Sequence, residues 1–244
     1  MVLGKMMKSV LMKESYVYKP VGFFFIANLI TWATWLSAAY FSYQPSAGSS
    51  GLISILELIG LFAPFGTALW MIFTSNSQEL KQNFYHRLLN LKLIKLSTIP
   101  AIFLIMPLTV IISVVISYLF FGQPLDQLTI AKAAPFTAGL IPVPLLLFGA
   151  ALVEEVAWKG YGMDSLRGKR TFFTVTLIYA ALWAFWHLPT FFVNNYYQNI
   201  ILRTNPLFAI NFIVSIFPVA FIINWLWYKN SGSILTGVLF HAVT

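Results

Sequence analysis

The sequence predicts an all-α fold: a polytopic transmembrane helical bundle of about seven spans with a cytoplasmic N-terminus. Three observations predict it. The 244 residues are 59% hydrophobic and only 9% charged, with a mean hydropathy of +0.80, well outside the range of soluble globular domains. Several apolar runs exceed the roughly 18 residues that cross a bilayer as a helix. Basic residues, finally, gather on every second loop.

The spans are expected at about 21–43, 52–74, 97–121, 136–158, 171–192, 207–228 and 233 to the end. The basic N-terminal segment precedes an apolar run too long for a signal-peptide core and without a small-residue cleavage site, so that run reads as a retained first span. Lys5, Lys8, Lys13 and Lys19 lie before the first span, Lys81, Arg87, Lys92 and Lys95 after the second, and Lys159, Arg167, Lys169 and Arg170 after the fourth. The intervening loop at 122–135 holds only Asp126 and Lys132, and that at 193–206 only Arg203. This alternation places the N-terminus in the cytoplasm. It also accounts for the net charge of +8 without nucleic acid. The protein should form one integrated membrane domain, with residues 1–96 as a basic segment, two spans and a cytoplasmic loop, and 97–244 as the core carrying the chemistry. The absence of cysteine rules out a disulfide framework or a thiolate metal site. No internal repeat points to a transporter built from related halves.

Ionisable residues inside spans cost roughly 2.5–3.5 kcal/mol each on insertion scales, so those that persist need a reason. Glu57, Glu154, Glu155, His187 and His241 are such residues, with Lys159 nearer the inner rim. Glu57 is near a span end, where snorkelling explains it, and His86 belongs to a basic loop. The others share a depth. Glu154 precedes Arg167 by 13 residues, about 20 Å of helix; His187 follows Arg170 by 17, about 25 Å; His241 follows Lys229 by 12, about 18 Å. Three acid–base side chains from three spans therefore reach similar depths, within about one helical turn.

Glu155 and Lys159, at i and i+4, can pair on one helix face with the glutamate N-terminal, the favourable order. Glu154 points about 100° away and is free to face His187. A buried carboxylate and an imidazole can activate water as general base and orienting group, and a second imidazole, His241, can donate to an oxyanion. This is chemistry for peptide-bond hydrolysis in or beside the membrane. Two His and one Glu are equally a zinc ligand set, so zinc held by Glu154, His187 and His241 stands as the alternative to a cofactor-free site.

The motifs EEVAWKGY (Glu154–Tyr161), WAFWHLP (Trp183–Pro189) and the late histidine in NSGSILTGVLFHAVT carry a resemblance. Over roughly residues 100–244 the chain resembles the CPBP (Abi) intramembrane proteases, which include the type II CAAX prenyl endopeptidases and proteins like lysostaphin resistance protein A. Their motifs are Glu-Glu-x-x-x-Arg, Phe-x-x-x-His, and a histidine followed four residues later by asparagine. The resemblance implies glutamate-dependent proteolysis, with Glu154 and His187 activating water and His241 stabilising the oxyanion. Glu155, Lys159 and Trp183 would support them. Lys159 replaces the family's arginine, keeping charge but not the bidentate fork. Trp183 replaces phenylalanine, one aromatic for another. The chain reaches Thr244 before the asparagine, about a dozen residues into the seventh span. The expectation is either a sequence that continues or a protein defective at the oxyanion site.

The expected protein is thus an intramembrane endopeptidase in the plasma membrane. It would act at the lipid bilayer on a membrane-associated protein or peptide and bind no nucleic acid. The rivals are a catalytically idle membrane scaffold or regulator of the same family and, last, a transporter or channel. Roles in bacteriocin maturation or immunity are as open as CAAX processing.

Overall fold

A computed structural model describes residues 16–44, 49–125, 137–138 and 141–244. In chain order its helices are α1 (Pro20–Ser42), α2 (Ser49–Phe73), α3 (Gln78–Leu89), α4 (Ile99–Phe121), α5 (Val143–Ala157), α6 (Met163–Arg167), α7 (Phe172–His187), α8 (Tyr197–Thr204), α9 (Pro206–Lys229) and α10 (Ile234–His241). Among the described residues, five apolar helical segments are long enough to cross a membrane: α1, α2, α4 with its preceding turn, α7 with the 3₁₀ turn Leu188–Phe192, and α9. The protein is a multi-pass membrane protein. α5 and α10 lie within the fourth and seventh expected spans. α5 continues through a π-helical turn at Trp158–Gly162 into α6, making one rod from Val143 to Arg167. α10 has eight residues. Asp126 and Lys132, like Lys5, Lys8 and Lys13, lie outside the described residues.

Local chemistry sets the helix ends. Prolines occupy the first turn of α1, α4, α5 and α9, where their missing N–H costs nothing. Ser77, Thr171, Asn205 and Ser233 cap α3, α7, α9 and α10, their side-chain oxygens accepting from backbone N–H groups of the first turn. Gly122, at φ 63°, closes α4 in the left-handed conformation that glycine adopts without strain.

Interhelical hydrogen bonds replace the hydrophobic driving force that lipid cannot supply. Thr31 Oγ1 donates to the Gly60 carbonyl (2.8 Å) and Trp35 Nε1 to that of Glu57 (2.9 Å), joining α1 to α2. A Cβ on Gly60 would fall onto the Trp35 indole, so glycine is what permits this approach. Trp186 Nε1 donates to Thr31 Oγ1 (3.0 Å), tying in α7. Phe23, Trp158, Tyr161, Tyr179, Trp186 and Trp227 form the heart of the main core, which draws on both halves of the chain.

The basic loops share one end of the bundle. The Lys19 N–H donates to Tyr161 Oη (3.1 Å). Arg87 on α3 pairs with Asp164 on α6 at 2.6 Å, and the Lys95 N–H donates to Asn230 Oδ1 just past α9 (2.7 Å). Burial, together with the nearby Asp164 carboxylate, pushes the Tyr18 phenol at this end above its usual range. At the opposite end the Asn194 N–H donates to Ser42 Oγ (2.9 Å). This agrees with the charge alternation along the sequence.

Candidate active site

The rod α5–α6 carries both glutamates on the last turn of α5. Beyond it the hydrogen-bond pattern widens: the Met163 N–H donates to the carbonyl of Trp158, five residues back, a π-type bond. Two carbonyls in the widened turn, Lys159 and Gly160, face the buried Arg87 guanidinium at 3.4 Å each. Arg87 also carries the ion pair with Asp164, which bonds to Arg167 Nη1 at 3.1 Å. The helix presenting the glutamates is thus clamped from below.

Glu154, His187 and His241 converge on the Trp183 side chain. The Trp183 indole N–H donates to Glu154 Oε2 (3.1 Å). The same indole lies 5.8 Å, centroid to centroid, from the His187 ring and 5.4 Å from that of His241. The Glu154 carboxylate acts electrostatically on both imidazoles. The three side chains that residue counting puts at similar depths thus lie around one indole.

Hydrogen bonding distinguishes the two nitrogens of each imidazole. His187 Nδ1 lies 2.8 Å from the Trp183 carbonyl. A carbonyl only accepts, so Nδ1 carries the proton, and in the neutral ring Nε2 keeps a free lone pair. His241 Nδ1 lies 3.0 Å from Glu155 Oε1, which likewise commits Nδ1 and leaves Nε2 for the site.

Glu155 therefore does more than pair with lysine. Its carboxylate is fully buried and stands between His241 and Lys159, whose Nζ is 3.7 Å from Oε2. Lys159 is itself fully buried, not at the rim where its charge suggested. Its Nζ lies 2.6 Å from Asn224 Oδ1 and 4.1 Å from the centre of the Tyr179 ring, a cation–π contact. Asn224 Nδ2 donates to Thr176 Oγ1 (3.3 Å).

Among the described residues no three His, Asp or Glu side chains are placed to hold a metal ion. An apolar groove of about 590 Å³ runs between α1 and α7, lined in part by Asn28, Trp32, Leu182 and Phe185. Its α7 residues lie on a different face of the helix from Trp183 and His187, so the groove is separate from the site.

A family model described as Rce1-like, type II CAAX prenyl endopeptidase, matches residues 136–244, which hold Glu154, Glu155, Lys159, Trp183, His187 and His241. A protein named CAAX prenyl protease 2, from Methanococcus maripaludis, is 38% identical over 230 residues, covering 94% of this chain and 84% of that protein. The chain belongs to the Rce1-like type II CAAX prenyl endopeptidase family. It is accordingly a multi-pass membrane protease. Within this family member, three site features escaped sequence reading. Trp183 is not a neutral exchange of aromatics, since phenylalanine has no N–H for Glu154. Asn224 is a fully buried polar residue in the apolar run FIINWLWYK, and a lone asparagine at that depth was the available signal. Arg87 looked like one more cytoplasmic charge; nothing in its neighbourhood of the sequence announces its partner 77 residues away.

Proposed function

We propose that this protein is a glutamate-type endopeptidase of the cell membrane that cleaves a membrane-associated protein or peptide without a metal ion. Its substrate class is that named for its relative, a prenylated CAAX-type C-terminus. The observation that carries this reading is the gathering of Glu154, His187 and His241 around Trp183, with one imidazole nitrogen left over on each histidine.

In this mechanism Glu154 takes a proton from a water molecule oriented by His187 Nε2. The water oxygen bonds to the scissile carbonyl carbon, and the carbonyl oxygen becomes an oxyanion facing His241. When the His241 ring is protonated, its Nε2–H donates to that oxyanion. Collapse breaks the C–N bond, and the proton held by Glu154 passes to the leaving amine. The products are a carboxylate and a free amine, and Glu154 returns to its starting state. Trp183 orients the Glu154 carboxylate throughout.

The test is hydrolysis of a fluorogenic farnesylated CAAX peptide by the purified full chain in nanodiscs, beside its unprenylated twin. Glu154→Ala should lower kcat/KM by about 10³, in the range of a lost general base, with an unchanged elution profile. Cleavage that survives Glu154→Ala refutes the mechanism. Equal cleavage of both peptides refutes the prenyl preference. Activity abolished by a metal chelator and restored by zinc refutes the metal-free reading.

A further inference from the structure

Behind the site, a line of buried polar side chains links α5, α7, α9 and α10. Thr176 on α7 accepts from Asn224 on α9; Asn224 accepts from Lys159 in the π-turn; Lys159 stands against Glu155 on α5; and Glu155 accepts from His241 on α10. Thr176, Asn224, Lys159 and Glu155 are all fully buried.

The weak point in this line is Lys159. A buried ammonium is costly unless it is paired and hydrogen-bonded. The 3.7 Å separation from Glu155 Oε2 supplies Coulomb attraction but exceeds hydrogen-bond length. The Tyr179 ring supplies a π face and no acceptor atom. Among the described residues, the hydrogen bond that fixes Lys159 Nζ is the 2.6 Å contact with Asn224 Oδ1. Asn224 is itself fixed the right way round, because its amide nitrogen is engaged with Thr176 Oγ1. Space around the pair is tight as well. A Cβ at Gly237 on α10 would come within 2.7 Å of Glu155 Oε2 and 3.3 Å of Lys159 Cγ.

We propose that Asn224 is a positioning residue of the site. By holding Lys159 against Glu155 it keeps the Glu155 carboxylate turned toward His241 Nδ1, and so decides which His241 nitrogen meets the reacting carbonyl. The proposal rests on the peptidase role given to His241 above. It explains how a lysine, a point charge without the planar fork of arginine, serves at this position: the carboxamide of Asn224 supplies the second fixed contact.

The experiment uses the full chain in nanodiscs, labelled with ¹⁵N-histidine. The chain has three histidines, so the imidazole signals can be assigned by substitution. In the wild type, His241 should show an Nδ1-protonated ring hydrogen-bonded to a carboxylate. In Asn224→Ala that signature should collapse to mixed tautomers while the His187 signal stays, and kcat should fall about tenfold or more at unchanged KM. Asn224→Asp retains an oxygen for Lys159 and should keep the signature. The double variant Lys159→Arg with Asn224→Ala should recover both signature and turnover, because the guanidinium can use the vacated volume to grip Glu155 with two donors.

An Asn224→Ala protein with a wild-type His241 signal overturns the proposal, whatever its activity. So does a double variant that recovers neither readout. If Asn224→Ala fails to fold, Asn224→Asp and the double variant still decide the matter. A wild-type protein that cleaves no peptide defeats the peptidase reading instead, and the His241 signal then judges the positioning alone.

Discussion

Glu154 and Glu155 are neighbours in the chain and strangers in their surroundings. Glu155 lies on the dry face of α5, fully buried, with an imidazole on one oxygen and an ammonium near the other. Glu154 lies on the other face, 8% exposed, and its hydrogen bond comes from the neutral indole of Trp183. Turning the helix by one residue, about 100°, separates a carboxylate held by an imidazole and an ammonium from one held by a neutral indole. The first is suited to holding a structure in place. The second is the one the proposed mechanism employs as base. Two identical side chains acquire different chemistry from their positions alone.

The contrast can be broken most severely from the dry side. Glu155→Gln leaves the Lys159 ammonium uncompensated in the interior and should destabilise the protein by about 3–5 kcal/mol, measured by denaturant unfolding in detergent micelles. Adding Lys159→Met should restore most of that stability while turnover stays low, since His241 has still lost its carboxylate. A Glu155→Gln protein that unfolds like the wild type would mean that the pair is not the dry anchor described. A milder wedge on the same face is Gly237→Ala, whose new Cβ presses on Glu155 and Lys159. The expected cost is about 1–3 kcal/mol; Gly51→Ala, with open space around it, is the control that should cost nothing. The smallest effect belongs to the other face. Trp183→Phe removes the indole donor to Glu154 and should lower kcat/KM about tenfold, with at most about 1.5 kcal/mol lost in stability. Full turnover in that variant would reduce the indole to packing.

How much of this was legible in the sequence follows from where each signal resides. Long apolar runs declare themselves, so α1, α2, α4, α7 and α9 match the predicted spans closely. The segment from Val143 to Arg167 reads equally apolar, yet it takes in a π-turn whose place depends on neighbours that hydropathy does not register. Depth arithmetic brought Glu154, His187 and His241 to one level, because helical rise is constant whatever the sequence. The i,i+4 contact of Glu155 with Lys159 was visible for the same reason. Contacts between distant elements were not: His241 to Glu155, Lys159 to Asn224, and Arg87 to Asp164 each depend on which helix faces which, a choice made by the whole core. The Trp183 donor was hidden differently, since reading an indole as a large ring overlooks its N–H.

The π-turn at Trp158–Gly162 has a consequence for the spacing of the chain. The same rod must satisfy two fixed sets of partners: Trp183 and His241 above the turn, Arg87 below it. A π-turn holds one residue more than an α-turn. Deleting a single residue there would leave an ordinary α-turn of nearly the same rotation, so Asp164 would keep roughly its phase relative to the glutamates. The irregular turn therefore works as a shim, housing one surplus residue while two independent docking points stay in register. An in-frame deletion of one codon within this stretch should be better tolerated than one in an uninterrupted α-helical stretch, which turns everything beyond it by about 100°.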